Sequence, residues 1–205
     1  MLLQIHPQNP SDRHLTQVVN CLRDGGIIIY PTDTVYGIGC DILNAKAVEK
    51  LCNIRQIKPE KSQFSFVCYN LKHISDYTLP FDKQIYKLMN RNLPGAFTFI
   101  LNASNTVPRT LRLKRKSVGI RVPDNKIALA IVEQLGNPIM STSLKYPDGD
   151  LLQYPTNPEE IYEQYGSLVD IVIDGGIGGN MPSTVVDCTG NDYQILRQGI
   201  GELIE

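Results

Sequence analysis

Gly25-Gly26-Ile27-Ile28-Ile29-Tyr30-Pro31-Thr32-Asp33-Thr34-Val35-Tyr36-Gly37-Ile38-Gly39 is the stretch whose reading decides the fold. Three isoleucines and a tyrosine in a row, after two glycines, fit a strand buried on both faces in the middle of an α/β sheet. Proline has no N–H to give to a ladder, so the strand stops at Pro31. A hydroxyl-rich turn with one carboxylate follows, closed by Gly37 and Gly39. Open α/β sheets bind ligands just beyond strand exits, which makes Thr32 and Thr34 candidate contacts. A polar strand-to-helix loop of no special function fits the same residues.

Working outward, short strands and amphipathic helices interleave. Positions 2–5 fit a first strand ended by Pro7. Ser11 can cap a helix over 11–23, with Leu15, Val18, Val19 and Leu22 at helical spacing. Asn44 can cap a second helix, and Asp82 another over 82–89. Further helices fit 71–77, 126–135 and 158–164, the last with Pro158 at its first turn. Strands are expected at 64–69, 97–101, 117–122, 138–142 and 169–173. Two more, 184–187 and 194–197, are joined by a Thr189-Gly190-Asn191-Asp192 turn. Gly175-Gly176-Ile177-Gly178-Gly179 reads as a flexible glycine loop. No repeat or linker interrupts the pattern. The expectation is one α/β domain over 1–205, an open twisted mixed sheet flanked by helices.

The totals restrict the function classes. Twenty basic and 21 acidic residues leave a net charge of -1, which excludes a uniformly basic nucleic-acid coat but not a local basic face. The five cysteines have no C-x-x-C spacing and only three histidines accompany them, which argues against a zinc cluster or a disulfide framework. No segment has the length of a signal or membrane span. A reducing cytoplasmic setting, with no membrane partner, is the simplest expectation.

Two groups of side chains could carry chemistry. Arg55, Lys58 and Lys61 share one loop, and Arg109, Arg112, Lys114, Arg115, Lys116 and Arg121 form a second basic cluster. Guanidinium groups grip phosphate oxygens in a planar fork, so such loops can hold a triphosphate; a solvated charged face explains them equally. Thr32, Thr34, Thr98, Ser141, Thr142, Ser143, Ser183 and Thr184 all fall at or just past expected strand ends. Hydroxyls recurring there can converge on one ligand. The glycine loop at 175–179 is neither a G-x-x-x-x-G-K-[ST] loop nor a G-x-G-x-x-G turn opening a helix. There is no G-x-S-x-G elbow.

Taken together, the Gly25–Gly39 stretch resembles the signature of the YrdC/YciO family, which includes the threonylcarbamoyl-adenylate synthases. The likeness continues through Pro94-Gly95-Ala96-Phe97-Thr98, Gly119-Ile120-Arg121-Val122-Pro123, the run from Pro138 to Ser143, Ser183-Thr184-Val185-Val186-Asp187 and Leu196-Arg197-Gln198-Gly199. It spans the chain. The resemblance implies the family's dsRBD-like α/β fold, with a wide, positively lined concave face that binds ATP and L-threonine. The reaction it implies joins L-threonine, bicarbonate and ATP into threonylcarbamoyl-AMP and pyrophosphate, for tRNA modification. By position, Thr32 and Thr34 would meet threonine. Thr98, Arg121, Ser141, Ser143, Arg197 and Ser183 or Thr184 would line the nucleotide and threonine side, with Lys61 and Lys145 adding charge. Mg²⁺ would come with ATP.

Two positions depart from the synthases. Their Lys-x-Arg aligns with Arg55-Gln56-Ile57, with Lys58 one step late, so Arg55 and Lys58 would be the catalytic cations. Their Ser-x-Asn aligns with Ser143-Leu144-Lys145. Both forms look like the YciO branch. The alternative function is therefore double-stranded RNA or tRNA binding without synthesis, carried by the basic cluster.

Overall fold

The computed structural model describes residues 1–56, 64–108, 116–146 and 153–205. The strands are β1 (Leu2–Gln4), β2 (Ile28–Tyr30), β3 (Gly37–Asp41), β4 (Ser65–Val67), β5 (Phe97–Asn102), β6 (Ser117–Arg121), β7 (Ile139–Ser143), β8 (Ile171–Asp174), β9 (Thr184–Asp187) and β10 (Gln194–Arg197). The helices are α1 (Asp12–Arg23), α2 (Ala45–Ile54), α3 (Leu71–Ser75), α4 (Lys83–Asn92), α5 (Lys126–Leu135) and α6 (Pro158–Tyr165). The strands form one mixed sheet in the order β1-β8-β2-β3-β7-β4-β6-β5-β9-β10. Ser11, Asn44, Asp82 and Asn157 cap their helices as their side chains predict, each accepting a backbone N–H of the first turn.

The opening stretch folds differently from its reading in one respect. β2 ends at Tyr30, before Pro31, as expected. The hydroxyl-rich turn then leads into a second strand, not a helix: β3 runs back antiparallel, with Tyr30 opposite Gly37 and Ile28 opposite Gly39. Its glycines mimic turn signals, but they are there for space. A Cβ on Gly39 would stand 2.6 Å from Ile139 Cγ2 and 2.7 Å from the Met140 carbonyl oxygen. One on Gly37 would press on the Tyr30 ring and Ser141 Oγ at 3.1 Å. β3 lies between β2 and β7 and fits only without those side chains.

Strand alternation sorts the side chains onto two faces. One face takes Ile27, Ile29, Ile38, Cys40, Phe66, Phe97, Phe99, Leu101, Val118, Ile120, Met140, Val172 and Val186 into the larger core, under α2, α3, α4 and α6. The other face is split. At the β1-β8-β2 end, Leu3, Ile28, Tyr30, Ile171 and Ile173 pack with Ile139 and Val67 beneath α1 and α5. Those helices contribute Leu15, Val18, Val19 and Leu22 and Ile127, Ile131, Val132 and Leu135, all buried. Burying each large aliphatic side chain yields roughly 1.5–3 kcal/mol, so this half is firmly sealed. Beyond α5 the same face carries Ser143, Ser141, Ser65, Gly119, Ser117, Thr98 and Ile100, and no helix of the described residues covers it.

Candidate functional site

The uncovered half of that face is the floor of a cavity of about 420 Å³. Strand register builds the floor. Gly39 pairs with Ser141, Ser141 with Ser65, Ser65 with Gly119 and Gly119 with Ile100. Farther along, Thr98 pairs with Val185 and Val185 with Arg197. Small and hydroxylated residues at every second position thus form a trough across neighbouring strands. Val35, Phe64, Tyr154 and Leu196 add apolar walls, and Arg121, Lys145 and Arg197 add positive charge. No carboxylate lines it among the described residues. Its volume suits a small-molecule site, which typically measures roughly 300–1,000 Å³.

Arg121 is buried, and its Nη2 donates to Asp33 Oδ1 at 2.9 Å and to Thr34 Oγ1 at 3.0 Å. Both ion-pair side chains are only about a tenth exposed. Asp33 Oδ2 also accepts the Asp124 N–H at 3.1 Å. The hydroxyl-rich turn is therefore clamped to the end of β6, and Asp33 offsets part of the Arg121 charge. Arg121 Nε is buried with no acceptor, a cost the ion pair has to outweigh.

Thr32 and Thr34 are occupied within this turn. Thr32 Oγ1 accepts the Thr34 N–H at 3.0 Å and donates to the Val35 carbonyl at 2.7 Å. The two threonine hydroxyls meet at 3.1 Å. They shape the turn beside the cavity and are not among its lining side chains.

At the far wall, Thr98 and Ser183 hydroxyls are 2.8 Å apart. Arg197 Nη2 donates to the Ser183 carbonyl at 2.7 Å, which fixes the guanidinium at the rim. Thr184 turns to the opposite face. Its hydroxyl is fully buried, donates to the Gly201 carbonyl at 2.6 Å and accepts the Gly199 N–H at 2.9 Å. The strand alternation that sends Val185 to the cavity sends Thr184 away from it, so its role is to latch the C-terminal segment.

On the near wall, Ser141, Ser143 and Lys145 all reach the cavity. The Tyr165 hydroxyl donates to the Lys145 carbonyl and holds this end of the strand. Arg55 sits beside Tyr165 and outside the lining set. It is half-buried; burial lowers its pKa, and its Nε has no acceptor among the described residues. Lys58, Lys61 and most of the second basic cluster, 109–115, lie outside the described residues.

The glycine loop at 175–179 has a packing reason. Gly179 N–H donates to the Thr34 carbonyl at 2.8 Å, and a Cβ there would lie 2.3 Å from that oxygen. The Tyr36 hydroxyl donates to the Gly176 carbonyl at 2.7 Å. The loop fastens the turn from behind; only glycine lets two backbones approach so closely. Ser65, Ser117 and Gly119 also line the cavity, although they are outside the hydroxyl set that the sequence places at strand ends. Their signal was alternation within Phe64-Ser65-Phe66 and Ser117-Val118-Gly119-Ile120, where every apolar residue enters the opposite core.

No helix among the described residues is long and apolar enough to cross a membrane. None of the five cysteines forms a disulfide, and Cys52, near Arg55, is buried in the larger core.

Comparison with known proteins agrees with this construction. The sequence profile of the Sua5/YciO/YrdC family, described as "Telomere recombination", matches residues 20–199. This chain belongs to the Sua5/YciO/YrdC family. It is 42% identical to Escherichia coli K12 YciO over 200 residues, covering 97% of this chain and 95% of that protein. The crystal structure of E. coli YciO superposes with a TM-score of 0.90 at 41% identity, covering 98% of this chain and 97% of that one. A family member named threonylcarbamoyl-AMP synthase, from Marinobacter nauticus, is 30% identical over 190 residues, covering 91% of this chain and 97% of its own. P. abyssi Sua5, solved with L-threonine, shares the fold at a TM-score of 0.87 and 24% identity, over 97% of this chain and 57% of the Sua5 chain.

Proposed function

We propose that the cavity binds an adenine nucleotide together with a small amino acid and carries out L-threonylcarbamoyl-adenylate synthesis. The observation that carries the reading is the gathering of Thr98, Arg121, Ser141, Ser143, Lys145, Ser183 and Arg197 around one hollow that, among the described residues, no carboxylate lines. Kinship to proteins named threonylcarbamoyl-AMP synthase supports it, as does the P. abyssi relative solved with L-threonine.

In this reading the amine of threonine takes up bicarbonate, water leaves, and a carbamate forms. A carbamate oxygen then attacks the α-phosphorus of ATP, the bond to the β-phosphate oxygen breaks, and pyrophosphate departs. Charge develops on the phosphate oxygens as the bond breaks. Arg197 and Lys145, neither with an acidic partner among the described residues, supply the fixed positive potential that favours this step. Arg121, partly neutralised by Asp33, positions the turn and contributes less. Arg55, Lys58 and Lys61 belong to the proposal as further cations for the triphosphate.

Among the described residues no group of three or more His, Cys, Asp or Glu could hold an ion. Mg²⁺ would come with the nucleotide's phosphates and neutralise part of their charge, and none of the steps assigned to side chains runs through it.

The test is pyrophosphate release by the purified protein with ATP, Mg²⁺, bicarbonate and L-threonine. Threonine-dependent release that falls at least about tenfold in Arg197→Ala is the expected result, since a charge-assisted phosphate contact contributes well over 1 kcal/mol. Release no greater than that of the variant overturns the synthase reading.

A further inference from the structure

At the edge of the cavity floor lies a buried hydroxyl pair whose protons can be counted. Tyr30 is fully buried at the end of β2, and its hydroxyl donates to Ser141 Oγ at 2.7 Å. Ser141 Oγ in turn donates to the Ile38 carbonyl at 3.3 Å. A serine hydroxyl has one proton and two lone pairs. The Ile38 oxygen is a carbonyl and can only accept, so the Ser141 proton is committed to the sheet. Tyr30 fills one lone pair. What Ser141 presents to the cavity is its remaining lone pair.

Tyr30 is well placed to keep this arrangement. Burial pushes its phenol up to about 12, so it keeps its proton across the physiological range. The neighbouring strand makes room for the ring: a Cβ on Gly37 would stand 3.1 Å from it, and Tyr30 packs with Val67 and Ile139. The side chain cannot swing away without disturbing the seam where β2, β3 and β7 meet.

We propose that Tyr30 is a positioning residue that turns the Ser141 proton into the sheet, so that the ligand atom lying against Ser141 must be a hydrogen-bond donor, such as the amine of an amino acid. The inference rests on the cavity being a ligand site and sharpens the reading above by fixing which end of the amino acid meets β7. An oxyanion or carbonyl at the same place would face lone pair to lone pair, at the cost of an unsatisfied buried acceptor. The site therefore discriminates against a ligand of the same carbon skeleton that lacks the amine.

The experiment is calorimetric binding of L-threonine and of 3-hydroxybutanoate, its skeleton without the amine, to the wild-type chain, Tyr30→Phe and Ser141→Ala, with AMP as a control ligand. The wild type is expected to prefer threonine by about tenfold or more, the scale of one charge-assisted hydrogen bond. In Tyr30→Phe the preference is expected to shrink to within about threefold, while AMP affinity stays unchanged. A purely structural role for Tyr30 would weaken all three ligands together and keep the ratio, which overturns the proposal.

A second readout separates this idea from the synthase reading. In free protein, NMR should find the Ser141 hydroxyl proton slowly exchanging and close to the protons of β3, and freed in Tyr30→Phe. Failure of threonine to bind sinks the synthase reading but leaves this measurement standing. A Ser141 hydroxyl in fast exchange with water in the wild type overturns the positioning role itself.

Discussion

The same sheet face is sealed at one end and open at the other, and the contrast lies in what occupies alternate strand positions. From β1 to β2 those positions hold Leu3, Ile28, Tyr30, Ile171 and Ile173, which need α1 and α5 above them. From β7 to β5 they hold Ser141, Ser143, Ser65, Gly119 and Thr98, which need nothing above them. A helix over the second half would gain little hydrophobic free energy and would strand several hydroxyls without water. The cavity is thus the part of the face that the described helices leave open. Stability is concentrated in the sealed half and the proposed ligand chemistry in the open half, with Tyr30 and the 31–36 turn at the boundary.

The largest expected effect breaks that boundary. Asp33→Ala leaves Arg121 buried without its counter-charge, and unfolding in urea should show a loss of about 3–5 kcal/mol. A loss below about 1 kcal/mol would mean that Arg121 turns to solvent in the variant and that the clamp is not structural. Next comes a matched pair across the two halves. Ile131→Ala, beneath the sealed half, should cost about 2–5 kcal/mol. Ile100→Ala, on the cavity floor, should cost less than about 1 kcal/mol, because part of that side chain already meets solvent. Equal losses would erase the distinction between the halves.

Gly39→Ala should cost about 1–3 kcal/mol, since the new methyl meets the backbone of β7 and cannot be relieved by a rotamer change. Melting within a degree or two of the wild type would show that β3 can shift. The smallest effect on stability belongs to the open half. Ser143→Ala and Lys145→Ala should change unfolding free energy by no more than about 0.5 kcal/mol. The same variants should lose most of the rise in melting temperature that AMP or ATP gives the wild type. An undiminished nucleotide shift in both would remove the near wall from the ligand site.

Much of this division was legible in the sequence. The alternation in Phe97-Thr98-Phe99-Ile100-Leu101 announces a strand with one core face, and the helix caps sit where Ser11, Asn44 and Asp82 put them. Most of the hydroxyls and cations assigned to one ligand do gather, including Thr98, Arg121, Ser141, Ser143, Lys145, Ser183 and Arg197. Three things were hidden, each for a physical reason. β3 was missed because Gly37 and Gly39 have the composition of a turn, although they serve a tight strand crossing. The glycines at 175–179 looked mobile because close backbone packing onto Thr34 depends on a partner 140 or so residues away, which local pattern cannot reveal. Thr184 looked like a site residue because a motif lists neighbours in sequence, whereas a strand sends neighbours to opposite faces.

The far wall of the cavity has a consequence of its own. Among the described residues β10 pairs only with β9; all four of its residues are exposed, and its pairing shifts between Ile195 and Arg197. A border strand with one neighbour frays more readily than the interior of a sheet. Since that strand carries Arg197, occupancy of the hollow and the breathing of the border are linked: whatever ligand Arg197 grips also stitches down the hem, and amide exchange along 194–197 becomes a gauge of whether the molecule is loaded.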